Sequence, residues 1–284
     1  MRFGVFSYVP AARDAAEAGS IIRGWGFDLV KIHRQRPDDC LDTPLTAERC
    51  RAIRRGYESN GVEVVAFAAY RDLATRDAER RAETRRQMRE WLRWAPELGA
   101  RYVCSEASIE GRMTPPPTGA ASDALDEADE DRFVTLVDEV GFLEPCAREA
   151  GVVLALEPSA STPLDSVERA LSLVRTIDSP SVRLIFDPAN LMTADHLAWQ
   201  REHVGRVLDA LSPYVVLAHA KDFAYTVDGH YTPAAGTGLL DWTTIFGEML
   251  RVGYDGPVIL EHLTAEQVSA SRAHLDDCLM RARK

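Results

Sequence analysis

Short apolar runs alternate with longer amphipathic segments from one end of the chain to the other. The runs fall at 3–9, 29–33, 63–69, 102–106, 152–157, 182–187, 215–219 and 258–261, and consist mostly of Val, Ile, Leu, Phe and Ala. Parallel strands covered on both faces read this way, whereas half-solvated antiparallel strands alternate apolar with polar residues. Between the runs, helices are predicted at 13–24, 46–60, 77–98, 127–150, 165–177, 194–211, 241–252 and 264–282. Their ends carry the expected punctuation. Thr46 precedes the second helix and Gly61 follows it, while Asp241 opens the seventh and Gly253 closes it. Within 77–98, Arg and Glu are distributed around Met88, Trp91, Leu92 and Leu98, which predicts a solvent-facing helix with one apolar stripe.

Eight strand-then-helix units in order suit a closed barrel or an open doubly wound sheet. A doubly wound dinucleotide binder would place G-x-G-x-x-G after its first strand. Here that strand runs into Ser7-Tyr8-Val9-Pro10. The expected fold is therefore α/β, a (β/α)8 TIM barrel, with residues 1–284 as one domain. Two connections are long: 107–127, with Pro115-Pro116-Pro117, Gly111 and Gly119, and 223–240, with Gly229, Gly236 and Gly238. Both follow strands, so in a barrel both lie on the catalytic face, as lids or as surface loops.

Composition changes this picture little. The hydrophobic fraction of 46% and charged fraction of 27% are ordinary for a soluble globular protein. A net charge of −11 argues against an electrostatic grip on nucleic acid or on anionic membrane surfaces. No apolar run is long enough to span a bilayer, and no basic segment leads into a long apolar one near Met1. Cys40, Cys50, Cys104, Cys146 and Cys278 form no CxxC pair and are odd in number. Reduced thiols in a cytoplasmic protein are the expectation. Assembly with copies of itself or with another chain is left open.

The last four strands carry the chemistry. Val152–Leu156 runs into Glu157, the next strand into Asp187, the next into His219 and the last into Glu261. Four consecutive strands thus each deliver one ionisable residue at the C-terminal edge, where barrel enzymes build their sites. Three carboxylates pointed at one another would repel and raise one another's pKa values. A divalent cation compensates them, and three carboxylates with one imidazole make a hard donor set. One cation is expected, Mn2+ first, with Mg2+, Co2+ or Zn2+ as alternatives. Each residue alone has a plainer reading: Glu157 and Asp187 as turn residues before proline, His219 as a hydrogen-bonded core histidine. Their joint placement decides between the readings.

Further residues sit near the same edge. His33 ends the second strand and Glu106 the fourth, and both are candidates to line a substrate pocket. Lys221 and Asp222 directly follow His219 and are candidates for substrate contact or for support of a ligand, against the alternative of a surface ion pair. Asn190 can donate and accept a hydrogen bond to substrate. His262 is out of phase with Glu261 and should point away from the barrel axis. Trp242 should pack beneath the last loop. Gly236-Thr237-Gly238 lies where many barrels bind phosphate, but glycines in a long loop are mostly turn residues.

Taken together, Leu156-Glu157-Pro158, Phe186-Asp187-Pro188-Ala189-Asn190, His219-Ala220-Lys221-Asp222 and Leu260-Glu261-His262 resemble the sugar phosphate isomerase/epimerase superfamily of xylose isomerase-like barrels. Gly236-Thr237-Gly238 followed by Asp241-Trp242, then Gly253-Tyr254-Asp255-Gly256, extends the resemblance over essentially the whole chain. The resemblance implies a mononuclear metal site of Glu157, Asp187, His219 and Glu261, with Glu157 and Glu261 also serving as catalytic acid and base. It implies a small sugar or polyol substrate and an isomerase or epimerase reaction. A proton is removed next to a carbonyl, and the resulting ene-diolate is stabilised by a cation held against its two oxygens. Two positions depart from the pattern of many ketose epimerases: Asn190 stands where they carry His, and Tyr225 where they carry Arg.

Lyases and dehydratases of the same superfamily, acting on keto-inositols, dehydroshikimate or 3-keto-glycosides, share the opening proton abstraction and then expel a leaving group. The fold also serves endonuclease IV-type repair enzymes, which need several more histidines. Here Cys104-Ser105-Glu106 ends the fourth strand, and Asp228-Gly229-His230 alone matches part of their ligand set. A non-catalytic barrel would have little use for all four presumed ligands.

Overall fold

The computed structural model describes residues 1–33, 45–108, 127–226 and 229–284. Ten strands occur among them: β1 (Arg2–Phe6), β2 (Leu29–His33), β3 (Glu63–Ala68), β4 (Tyr102–Glu106), β5 (Val153–Glu157), β6 (Val182–Phe186), β7 (Val215–Ala220), β8 (Ala224–Thr226), β9 (Gly229–Tyr231) and β10 (Pro257–Leu260). Eight of them pair in parallel, in the order β1-β10-β7-β6-β5-β4-β3-β2, and β2 closes the ring on β1. Around the ring lie α1 (Ala15–Gly24), α2 (Ala47–Glu58), α3 (Ala78–Leu98), α4 (Glu127–Ala150), α5 (Val167–Ile177), α6 (Gln200–Leu211), α7 (Trp242–Arg251) and α8 (Val268–Ala282). This is the expected TIM barrel. Since all eight barrel strands are parallel, their C-terminal ends open on one face, and every strand-to-helix connection lies there.

Side-chain caps account for several helix starts. Asp14 accepts from the Glu17 N–H, Thr46 from Arg49, Asp77 from Glu79 and Arg80, Ser166 from Arg169 and Asp241 from Thr244. Each such cap contributes about 1 kcal/mol by satisfying an otherwise orphaned donor. Gly99 closes α3 in the left-handed region at φ 82°, where a side chain would be strained. Inside the ring the strands crowd one another. A Cβ on Gly4 of β1 would lie 2.7 Å from Leu29 Cβ and 2.8 Å from Ile259 Cδ1.

The boundaries differ from the sequence expectation where local turns win. The first strand stops at Phe6 rather than at residue 9, because the chain folds over and the Val9 N–H donates to the Phe6 carbonyl. The sixth helix is divided: Asp195–Trp199 forms a 3-10 turn, Trp199 leaves helical geometry at φ −141°, and α6 starts at Gln200. The last helix begins at Val268 because Thr264 and Gln267 close a turn of their own. Within the 223–240 connection, expected as loop throughout, β8 and β9 pair as an antiparallel hairpin. Most of the 107–127 connection, together with Cys40 and Asp228, lies outside the described residues. The other four cysteines are free thiols, and among the described residues no helix is long and apolar enough to cross a membrane.

Candidate metal centre

Four adjacent strands of the ring, β5, β6, β7 and β10, build the site. Glu157 is the last residue of β5, Asp187 follows β6, His219 lies one residue before the end of β7, and Glu261 follows β10. The two glutamates come from the outer strands of this arc, and the aspartate and histidine from the two inner ones. All four are 5% exposed or less, and each offers one ligand atom within 4.8 Å of the others. His219 Nδ1 is the hub: it lies 3.2 Å from Glu157 Oε1, 3.6 Å from Asp187 Oδ2 and 3.6 Å from Glu261 Oε2.

Glu157 Oε2 and His219 Nδ1 are buried with no hydrogen-bond partner among the described residues. Orphaned buried acceptors are costly, and a bound cation is one way of satisfying them. Three carboxylates and one imidazole converging on one point fit a hard divalent ion of the oxygen-preferring kind. The group predicted from the strand ends is therefore assembled, and it can hold one metal ion.

The ionisation of the group is strongly coupled. Burial pushes the Glu157 carboxyl up, but His219 and Lys221 outweigh it and hold it below the usual carboxylate range. Glu261 behaves alike: burial opposes ionisation, His219 and Lys221 favour it, and its pKa falls to about 2. Asp187 is also lowered, against burial, chiefly by Lys221. All three are carboxylates at neutral pH. For His219, burial favours the neutral ring, while Glu157 and Glu261 prevail and raise its pKa.

Lys31, absent from the candidates at the strand ends, completes the surround. It lies on β2, is fully buried, and its Nζ is 2.7 Å from His219 Nε2 and 3.2 Å from the Tyr70 hydroxyl. The contact fixes the orientation of the ring, with Nε2 toward Lys31 and Nδ1 toward the carboxylates, where it can serve as a ligand once it carries no proton. Phe6 and Tyr70 place their rings 4.8 and 5.4 Å from the same ammonium. The signal was present: a lysine amid Leu29, Val30 and Ile32 in an apolar strand has to be buried with a partner.

The other predicted site residues divide into three groups. Asn190 reaches the centre, and its Nδ2 donates to Glu157 Oε1 at 2.6 Å. Lys221 also reaches it, with Nζ 2.6 Å from Glu261 Oε1 and 2.7 Å from Asp187 Oδ2. Glu106 is buried next to Glu157, its register partner across β4 and β5. His33 stands at the mouth, edge-on to Tyr8 at 5.5 Å and near Tyr70 at 5.8 Å. Asp222 turns away. Its carboxylate accepts from the backbone N–H groups of Phe223, Leu240 and Gly236, each at 2.9 Å, so both oxygens are taken up in folding the 223–240 connection. The glycines of that loop thus serve an internal carboxylate: a Cβ on Gly238 would lie 2.4 Å from Asp222 Oδ1. His262 points outward, as expected, and bonds Thr232, while the buried Trp242 packs against Phe246 of its own helix.

The xylose isomerase-like TIM barrel family model matches residues 20–278. The chain belongs to that family. It is 26% identical to the L-ribulose-5-phosphate 3-epimerase UlaE of Escherichia coli (strain SMS-3-5 / SECEC), over 95% of this chain and 90% of that protein. Among solved structures it resembles the 3-keto-D-glucoside 4-epimerase YcjR of E. coli in its apo form, with a TM-score of 0.74, 18% identity, and coverage of 98% and 100% of the two chains. It also resembles a xylose isomerase-like TIM-barrel protein from Mycobacterium smegmatis in complex with magnesium, with a TM-score of 0.67, 19% identity, and coverage of 94% and 87%. At these identities the two structures speak to the shared fold.

The Asn190 contact yields a measurable expectation. Asn190→Ala removes a part-buried hydrogen bond to a charged oxygen, an interaction contributing about 1.5–3 kcal/mol. Divalent-cation affinity, measured by calorimetry, is expected to fall roughly tenfold or more, as for other residues that orient a ligand. Unchanged affinity would show that Glu157 is held by the barrel alone.

Proposed function

We propose that this protein is a divalent-metal-dependent epimerase or isomerase of a sugar or sugar-like keto compound, acting by proton transfer next to a carbonyl. The observation that carries the reading is the position of Glu157 and Glu261 at the two ends of one four-ligand arc. Each turns one oxygen toward His219 Nδ1, so two carboxylates flank a single point from different strands. A substrate carbon held there would have one carboxylate positioned to take its proton and the other to return a proton on the opposite face. Both are ionised at neutral pH, hence each can act as base, and the returning carboxylate serves as the acid only after it has gained a proton from solvent, which the deuterium exchange described below would report.

The bound cation would supply Lewis-acid stabilisation of the charge developing on the substrate oxygens. Glu157, Asp187, His219 and Glu261 would hold it, with Mn2+ or Mg2+ the ions best matched to the donor set. The magnesium complex of the similar mycobacterial chain supports that choice. Asn190 orients Glu157, and Lys31 orients His219. Beside this arc at the mouth, Tyr8, His33 and Tyr70 present rings and polar edges suited to the apolar face and hydroxyls of a sugar. The epimerase activities named for the similar UlaE and YcjR proteins support epimerisation over elimination. A small keto-sugar is thus the expected partner, and the acidic chain makes nucleic acid a poor one.

The test is incorporation of solvent deuterium, followed by NMR, across ketoses, keto-inositols and 3-keto-glycosides with Mn2+ or Mg2+ present. At least one substrate is expected to gain deuterium next to its carbonyl and to yield an epimer or isomer. Loss of a leaving group would instead identify a lyase. Exchange into none of them would sink the proton-transfer reading.

A further inference from the structure

Lysine is almost absent from this chain. Of 33 basic residues only three are lysines, Lys31, Lys221 and Lys284, and every other cation is arginine. Lys284 is the last residue of the sequence. The other two are buried in the barrel, and both touch the four-ligand group. Arginine carries a planar fork of five donors, whereas lysine places a compact point charge on a thin stem. Where a chain so rich in arginine keeps lysine, a point charge is what the surroundings accommodate.

Lys221 follows His219 by two residues, just past the end of β7, and its side chain, like that of His219, turns to the ligand carboxylates. Its Nζ lies 2.6 Å from Glu261 Oε1, 2.7 Å from Asp187 Oδ2 and 3.7 Å from Glu157 Oε1. Those are the three carboxylates of the candidate metal centre. Asp187 Oδ2 and Glu157 Oε1 are also the oxygens that face His219 Nδ1. The ammonium and a bound cation would therefore draw on the same atoms. Three buried carboxylates without any cation would be prohibitively costly, whereas with Lys221 among them the barrel can fold before metal arrives.

We propose that Lys221 is the resident counter-ion of the metal-free centre, and that a divalent cation loads by displacing its ammonium from Asp187 and Glu261. The inference rests on the reading that these four residues hold a cation. Formal charge at the carboxylates supports it: one divalent ion and the Lys221 ammonium match the three carboxylates, while Lys31 contacts only the imidazole. Lys221 thus need not leave the site on loading; it gives up its short contacts and stays as the balancing charge. It sets metal affinity in two ways, as a competitor for oxygens and as a like charge beside the ion.

The experiment compares metal-stripped wild type with Lys221→Met, without substrate. Removing the competitor is expected to tighten Mn2+ binding by about tenfold or more in calorimetry, as expected from removal of a like charge a few ångströms away. The metal-free variant should melt below wild type, and Mn2+ should raise its midpoint by more than it raises that of wild type. A second measurement needs no substitution in the protein under observation. With 13Cε-labelled lysine the wild-type chain has three lysine signals to follow. Saturating Mg2+ should shift the Lys221 signal and leave that of Lys284 in place. Equal or weaker Mn2+ binding by Lys221→Met, or a Lys221 signal unmoved by Mg2+, overturns the displacement while the metal reading stands. If Lys221→Met binds Mn2+ more tightly but no sugar exchanges deuterium, the displacement stands and the proposed reaction fails. If neither protein binds a divalent cation, both fall.

Discussion

Glu157→Gln and Glu261→Gln are each expected to lower solvent deuterium exchange into substrate by about 10²–10⁴-fold, the usual worth of a positioned general acid or base. The amide is nearly isosteric with the carboxylate and keeps one oxygen able to face the cation, but it cannot take a proton. Both positions are buried, and their ionisation depends on His219 and Lys221, so each substitution also removes a charge that the surrounding cations compensate. Some weakening of metal binding is therefore expected in either variant. For that reason exchange is measured at saturating Mn2+, with circular dichroism to show that the barrel is intact. Loss of exchange with metal bound assigns the proton transfer to the carboxylate. A wild-type rate in either variant would remove that glutamate from its role.

Asp222→Ala carries the largest expected loss of stability. The carboxylate is buried and accepts three backbone N–H bonds, two of them from residues more than ten positions away along the 223–240 connection. Leaving a buried donor unsatisfied costs about 1–3 kcal/mol, and three donors share this one acceptor group. Water will re-satisfy part of them once the loop loosens, so a loss on the order of 3–5 kcal/mol is expected, at the upper end for single substitutions. For a chain of this size that corresponds to a fall in melting midpoint of roughly 6–15 °C. Asp222→Asn should lose less, because it keeps one acceptor oxygen. A midpoint within about 1 °C of wild type for Asp222→Ala would show that the loop is held by other contacts.

The consecutive pair Lys221 and Asp222 shows how far the chain could be read before its structure. By position alone both are candidates for substrate contact. Strand alternation already separates them, since Lys221 shares parity with His219 and Asp222 does not. What alternation does not supply is the destination of each: Lys221 turns to carboxylates from β6 and β10, and Asp222 to the far end of its own loop. Lys31 is the opposite case. Its partner His219 lies 188 residues away, and nothing local in Leu29–His33 names it. Only closure of the ring, which leaves β2 facing β7 across the interior, brings the two together.

By itself the sequence determined the alternation of strands and helices, the edge at which chemistry collects, and the four residues Glu157, Asp187, His219 and Glu261. These are legible because strand burial and strand ends are local properties of the chain, and parallel strands all present their C-terminal ends on one face. The tertiary structure alone decided that His219 turns Nδ1 to the carboxylates and Nε2 to Lys31, that Asn190 holds Glu157, and that Lys221 lies among the ligands. Those are contacts between side chains of different strands and loops. They are set by how long-range packing orients each side chain, and residue spacing along the chain carries no record of that orientation.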